Sequence, residues 1–232
     1  MTGPTEPRES SSAALTLVLA TRNRGKVVEF RGLLGELPVE LVSLDDCCPG
    51  APAVEETGET FVDNALLKAK AAAATSWLVA LADDSGLEVD ALDGQPGVHS
   101  ARYAGSSASD AENNAKLLGA LREVPTEARG ARFRCVLTVL DPLDPGSAPL
   151  VAEGTCEGRI ALAPSGAGGF GYDPLFLPSA PLPGREGRTL AELGEAEKNA
   201  LSHRGAAARA LVPLLRDLVE RKLDQARRLG GT

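Results

Sequence analysis

The chain is poor in the features that announce most function classes. Positive charge is scarce: the formal net charge is -8 and the pI about 4.9 over 232 residues, so the chain lacks the field a general nucleic-acid binder needs. Long apolar runs are missing too. The longest uncharged hydrophobic stretch, residues 71 to 82, is interrupted by Thr75 and Ser76 and is too short to span a bilayer. Cysteine is limited to Cys47, Cys48, Cys135 and Cys156, with neither metal-ligand spacing nor a C-x-x-C. We read them as reduced thiols, which implies a cytoplasmic protein. A Walker loop is excluded, because it requires Gly at position 20 and Ser or Thr at 27, and the chain has Ala20 and Val27. Only five Phe, two Tyr and one Trp are present, so any aromatic placed on a loop is conspicuous.

What is present begins with residues 1 to 14, rich in Pro, Gly and Ser and without an apolar stripe. They are expected to form a disordered tail ahead of one domain over residues 15 to 232. Leu15 to Ala20 is a short continuous apolar run, which reads as a strand buried on both faces. Val27, Phe30, Leu33, Leu34 and Leu37 follow at helical spacing. The intervening Thr21-Arg-Asn-Arg-Gly-Lys26 therefore lies at a helix N-terminus. Free N–H groups and the helix dipole favour an anion there, and Lys26 adds a point charge.

Val39 to Ser43 reads as a second strand and Leu44 to Glu56 as a loop, with Thr60 to Asp63 as a capping-box start to a helix reaching about Thr75. Leu78 to Ala82 is another buried strand, expected to stop at Asp83-Asp-Ser-Gly86, with an extended segment resuming at Leu87. Ser109 and Asp110 cap a helix to about Leu121, and residues 131 to 141 and 150 to 160 form a long β-hairpin. A short helix is expected near Thr189 to Ala196. A final helix from His203 toward Leu229 has Ser202 as its N-cap and a bend at Pro213. Helices alternating with strands, plus a hairpin, give an α/β fold with a mixed sheet.

Several residues can carry chemistry. Asp83 and Asp84 close a buried strand, where α/β sheets place ligands. Adjacent residues point to opposite sides, so one acid faces the cleft as metal ligand or general base while the other, Asp83, leaves it. Glu55 and Glu56 form a second acidic cluster, and hard oxygen ligands of this kind suit Mg²⁺. Lys68 and Lys70 lie on different faces of the Thr60 helix. Phe170 and Tyr172 sit on a Gly-rich loop, where a ring either stacks on a base or plugs the core. Lys198, His203 and Arg204 gather three donors in a short stretch.

Six blocks, taken in order, resemble the inosine-triphosphate pyrophosphatase family, which acts on non-standard purine nucleotides. They are Thr21-x-Asn23-x-Gly25-Lys26; Glu55-Glu-Thr-Gly58 with Phe61 and Asn64; Asp83-Asp-Ser-Gly86-Leu87; Pro96-Gly97 with Ser100-Ala-Arg-Tyr103; Gly169-Phe-Gly-Tyr-Asp-Pro174; and Glu197-Lys-Asn with Ser202-His-Arg-Gly205. The resemblance covers about residues 15 to 215. The insert at 141 to 149 and the stretch 181 to 188 lie outside it.

The resemblance implies an elongated two-lobed α/β fold with a central twisted mixed sheet and a cleft between the lobes. It also implies a homodimer and Mg²⁺-dependent hydrolysis of ITP, dITP and XTP to monophosphate and pyrophosphate. Carried over by position, Thr21, Arg22, Asn23, Arg24, Gly25 and Lys26 hold phosphates with help from Lys68. Asp84 activates water and shares the metal with Glu55, or with its neighbour Glu56, and Ser85 touches the substrate. Phe170, Gly171, Tyr172, Asp173, Lys198, His203 and Arg204 hold base and sugar. The partner is a small nucleoside triphosphate, with no direct nucleic acid and no membrane. A non-hydrolysing nucleotide sensor has no need of both acidic clusters, a phosphotransferase lacks its Walker or kinase loop, and a pyrophosphatase for modified pyrimidines is the nearest rival.

Overall fold

The computed structural model describes residues 14 to 180, 184 and 187 to 230. The expected tail, Ala14 apart, lies outside these residues, as does part of the stretch 181 to 188.

Six strands form one mixed sheet in the order β2-β1-β3-β4-β5-β6. Strands β1 (Leu15–Leu19), β2 (Val39–Ser43) and the start of β3 (Val79–Val89) are parallel. Strands β4 (Gly130–Leu140), β5 (Leu150–Ile160) and β6 (Phe176–Pro178) continue antiparallel. The helices are α1 (Arg24–Leu33), α2 (Leu44–Cys47), α3 (Phe61–Ser76), α4 (Asp110–Ala120), α5 (Glu195–Leu201) and α6 (His203–Gly230).

The first departure from expectation is β3. It does not stop at Asp83 but runs unbroken to Val89, because β4 pairs with it throughout, Asp83 opposite Leu137 and Ser85 opposite Cys135. Strands β3, β4 and β5 have 11 residues each, or about 35 Å at roughly 3.3 Å per residue. Along one face of β3 the alternation reads Val79, Leu81, then Asp83, Ser85, then Leu87, Val89. Leu81 belongs to one hydrophobic core with Leu17, Leu137 and Leu211. Leu87 and Val89 belong to another with Phe133, Ile160 and Phe176. Two apolar lobes thus share the same strands, and the polar interval between them is carried by Asp83 and Ser85.

Helix α6 covers this face with Ala207, Ala208, Leu211, Leu215, Leu218 and Val219, a helical-period stripe that is buried throughout. Burial of each Leu in that stripe contributes about 1.5 to 3 kcal/mol. Its first turn comes so close to β5 that a Cβ on Gly154 would stand 2.2 Å from both the His203 carbonyl and the Ala207 nitrogen. Only a glycine lets the start of α6 reach the middle of the sheet. On the opposite face α3 presents Ala65, Ala69, Ala72 and Ala73, all buried, small enough for close approach to β3. Its start carries the expected capping box, Thr60 with Asp63.

Smaller departures follow the same logic of local hydrogen bonding. The loop after β2 opens with a single helical turn, α2, capped by Ser43. The helix expected near Thr189 is a 3₁₀ turn, Leu190–Glu192, and the helical segment begins later as α5. Ser202 then ends α5, and its hydroxyl accepts the Gly205 N–H at 3.0 Å as α6 starts. Helix α6 runs through Pro213. The hairpin β4–β5 is as expected, and all four cysteines are free thiols. Among the described residues no helix is long and apolar enough to cross a membrane.

Candidate active site

The site arises from a gap in the sheet. Strand β1 ends at Leu19, and its last link to β3 is the Ala20 N–H donating to the Leu81 carbonyl at 2.8 Å. The next partner on that side is Ser100, whose Oγ accepts the Leu87 N–H at 2.8 Å. Between them the edge of β3 is open, and by strand alternation the backbone groups of Asp83 and Ser85 face the gap. This is where the first parallel strand stops while its neighbour continues, the usual ligand position in an open α/β sheet. Gly86 seats the far wall, since a Cβ there would meet the Gly97 carbonyl at 2.4 Å and Ser100 Oγ at 2.6 Å.

A cavity of about 400 Å³ fills the gap. Because it wraps around a free edge, it touches side chains from both faces of the sheet. Thr21, Arg22, Asn23 and Lys26 line it at one end, Glu56 and Lys68 from the α3 side, and Asp83 and Ser85 from β3. Phe170, Gly171, Tyr172, Asp173, Lys198, His203 and Arg204 close the other end. Asp84 stands just behind Lys68. Arg24 and Gly25 are exposed outside the lining, and so is Glu55.

Asn23 is the N-cap of α1 and accepts the Lys26 N–H at 3.2 Å, which sets the start of α1 beside the cavity that Thr21, Asn23 and Lys26 line. Arg22 turns away to Asp45, at 3.2 Å, and to the Ala51 carbonyl. The Lys26 ammonium pairs with Asp83.

Contrary to the sequence expectation, Asp83 does not leave the cleft. Its side chain is 1% exposed and is held by Lys26, by Arg204 Nε at 3.1 Å and by the Cys135 thiol at 3.3 Å. Burial by itself raises a carboxyl's pKa, but Lys26 and Arg204 outweigh it and hold Asp83 well below the usual carboxylate range. Burial, and then the same carboxylate, push the Cys135 thiol well up. Arg204 is spoken for on three sides, with Nη1 on Glu29 at 2.7 Å and Nη2 on Ser85 Oγ at 3.0 Å. The buried Glu29, Asp83 and Arg204 and the partly buried Lys26 thus cancel within one network.

Asp84 points to the other face. Its Oδ1 accepts from Lys68 Nζ at 2.6 Å, and the same ammonium donates to Glu56 Oε1 at 3.0 Å. Burial raises the Asp84 pKa, with Lys68 opposing. Burial also opposes the charge on Lys68, but Asp84 and Glu56 prevail and its pKa moves up. Glu56 is drawn down, burial notwithstanding, by Lys68 and by Arg102, which binds its Oε2 at 2.9 Å and its backbone carbonyl at 3.2 Å. Glu55 is exposed and does not line the cavity, whereas Glu56, at the centre of the tight turn in which the Thr57 N–H donates to the Glu55 carbonyl at 3.1 Å, does. Lys70 is exposed.

At the far end, the two loop aromatics separate. Tyr172 is buried in the second core and donates its hydroxyl to the Ser100 carbonyl at 2.9 Å. Phe170 stays half-buried in the cavity wall, with Lys198 Nζ 4.6 Å and the Arg204 guanidinium 5.3 Å from its ring centre. Asp173 organises this loop, accepting from Phe170 N–H at 2.9 Å and Lys198 Nζ at 2.8 Å. His203 stacks on Phe133, centroids 4.7 Å apart and planes 13° apart, and its buried Nδ1 has no protein partner. Burial, with Arg204 adjacent, keeps the imidazole neutral by lowering its pKa well below 6.5.

The geometry is that of a nucleotide site, with cations and acids at one end and an aromatic flanked by donors at the other. The sequence profile of the Ham1 family matches residues 17–214. The chain belongs to the Ham1 family. A dITP/XTP pyrophosphatase of Yersinia pseudotuberculosis is 51% identical over 201 residues, covering 87% of this chain and 98% of that protein. One from Geobacillus kaustophilus is 55% identical over 191 residues, covering 82% and 89%. A solved HAM1 protein from Coxiella burnetii superimposes with a TM-score of 0.76 at 45% identity, covering 88% of this chain and 99% of that one.

Within this Ham1-family chain, three site residues escaped the sequence reading. Glu29 interrupts the apolar stripe of α1 between Val27 and Phe30, which is a usable signal. Arg102 lay inside a quoted block, but its reach to Glu56, 46 residues away, is not local. Asp110, beyond capping α4, accepts the Gly171 N–H at 2.7 Å and so ties down the Gly-rich loop.

Proposed function

We propose that this protein hydrolyses dITP and XTP, and ITP with them, to the nucleoside monophosphate and pyrophosphate with the help of a divalent cation such as Mg²⁺. The observation that carries this reading is the pairing of Glu56 and Lys68 at one end of a cavity, with Asp84 bound to the same Lys68 ammonium, while the other end holds Phe170, Lys198 and His203. Relatives about half identical over nearly their whole length are named for that activity.

Among the described residues no group of three or more His, Cys, Asp and Glu makes a closed metal cage. Mg²⁺ needs only one or two carboxylates and fills its remaining positions with water and substrate phosphate. Asp84 and Glu56 are the pair that would hold it. Glu55, exposed on the neighbouring position, is the less favoured ligand. When bound, the cation neutralises the phosphate oxygens and orients water.

The protein's own residues supply the rest. Lys26 and the N–H groups before α1 bind the phosphates, and Lys68 adds a second positive charge beside them. Asp84, whose raised pKa marks a basic carboxylate, takes the proton of the attacking water. Phe170 offers a face to the base. Lys198 donates to the oxygen at C6, which hypoxanthine and xanthine carry where adenine carries an amino group. A buried donor left facing another donor costs about 1 to 3 kcal/mol, or about 5- to 150-fold in rate.

The reading is tested by kcat/KM across dITP, XTP, dATP, dGTP and dUTP with Mg²⁺. dITP and XTP should lead by at least about tenfold. Equal turnover of dATP overturns the proposed selectivity, and preference for dUTP moves the protein to the pyrimidine class.

A further inference from the structure

The two lysines at the acidic end of the cavity are anchored in different ways. Lys26 is tied to Asp83, which is itself locked by Arg204 in the four-charge network. Lys68 instead sits between two carboxylates from separate segments, 2.6 Å from Asp84 and 3.0 Å from Glu56. These are the two oxygen donors best placed for a divalent cation. The ammonium therefore stands where such a cation would stand.

We propose that Lys68 is an exchangeable internal counter-cation, which neutralises Asp84 and Glu56 while no metal is bound and is released toward the substrate phosphates when metal enters. The inference rests on the metal-dependent reading above. Three features support it. First, a Lys is a compact charge on a flexible four-carbon stem and can swing without moving α3. Second, Glu56 does not depend on Lys68 for its position, because Arg102 grips both its other carboxylate oxygen and its backbone carbonyl. Third, Asp84 is fixed by the β3–β4 pairing, opposite Val136. The acids stay in place when the ammonium leaves.

The consequence is positive coupling. Metal must displace Lys68 from the nucleotide-free protein, whereas bound triphosphate supplies the displaced ammonium with a new partner. Each ligand therefore tightens the other, by the same factor.

The test uses Mn²⁺ and its paramagnetic signal to measure metal affinity without nucleotide, in the wild-type protein and in Lys68→Met, with circular dichroism as the folding control. Lys68→Met should bind Mn²⁺ at least about fivefold more tightly, the lower end of ordinary coupling factors. Lys68→Gln, isosteric enough to keep the packing, should do the same. A second readout needs no variant. With six lysines in the chain, the side-chain ammonium resonances are few, and Mg²⁺ alone should shift that of Lys68 while leaving Lys26 in place. Unchanged or weaker Mn²⁺ binding in a folded Lys68 variant, or a Lys68 signal indifferent to Mg²⁺, overturns the exchange. If wild-type protein cleaves dITP while either of those results is found, only the exchange falls. If wild-type protein cleaves no dITP and binds no Mn²⁺, the functional reading falls.

Discussion

Asp83 accepts a hydrogen bond from Arg204 Nε at 3.1 Å, joining the middle of the sheet to the first turn of the last helix across 121 residues of chain. The same carboxylate holds Lys26 at the phosphate end. One buried acid thus sets the spacing between the two ends of the cleft.

Asp83→Asn removes the charge that both cations face. Taking one partner from a buried ion pair costs about 3 to 5 kcal/mol, and the value should sit near 3 because Arg204 keeps Glu29. Urea unfolding will register this as a lower midpoint with an unchanged slope. A midpoint equal to wild type would mean that the network contributes nothing to the fold.

Asp84→Asn should separate from it in kind. The side chain is proposed to take a proton, and losing a general base lowers turnover by about 10² to 10⁴. The unfolding midpoint should move less than in Asp83→Asn. Steady-state turnover and urea titration on the two proteins decide it. If Asp83→Asn folds like wild type and is inactive while Asp84→Asn turns over normally, the two acids have exchanged roles.

The contrast between these residues shows what was legible. Strand and helix periods, capping boxes and the hairpin could be read from local pattern, as at Thr60 and in β4–β5. The expected turn at Asp83-Asp-Ser-Gly86 was wrong because acids next to Ser and Gly carry turn propensity, and the pairing with β4 that overrides it is non-local, with Asp83 opposite Leu137 and Ser85 opposite Cys135. The placement of Glu56 rather than Glu55 against Lys68 likewise depends on Arg102, which no local pattern announces. The cations of the site were legible as residues, but not the buried acids that hold them.

His203 makes stability depend on pH. Its pKa is lowered well below 6.5 in the fold, first by burial and then by Arg204. Below about pH 6.5 the unfolded chain takes up a proton that the native imidazole refuses, so stability falls as pH falls. The slope from this group is at most about 1.4 kcal/mol per pH unit. Urea midpoints between pH 7.5 and 5.5 should decline in the wild type and decline less in His203→Gln. Parallel profiles would show that His203 titrates as it does in water.

What defines the reaction is which phosphoanhydride bond is cut. Incubating the protein with dITP and Mg²⁺, and measuring pyrophosphate and orthophosphate separately with and without a chelator, tests it most directly. Cleavage between the α- and β-phosphates gives one pyrophosphate for each dIMP, no orthophosphate, and loss of both products with the chelator. Release of orthophosphate with dIDP would contradict it.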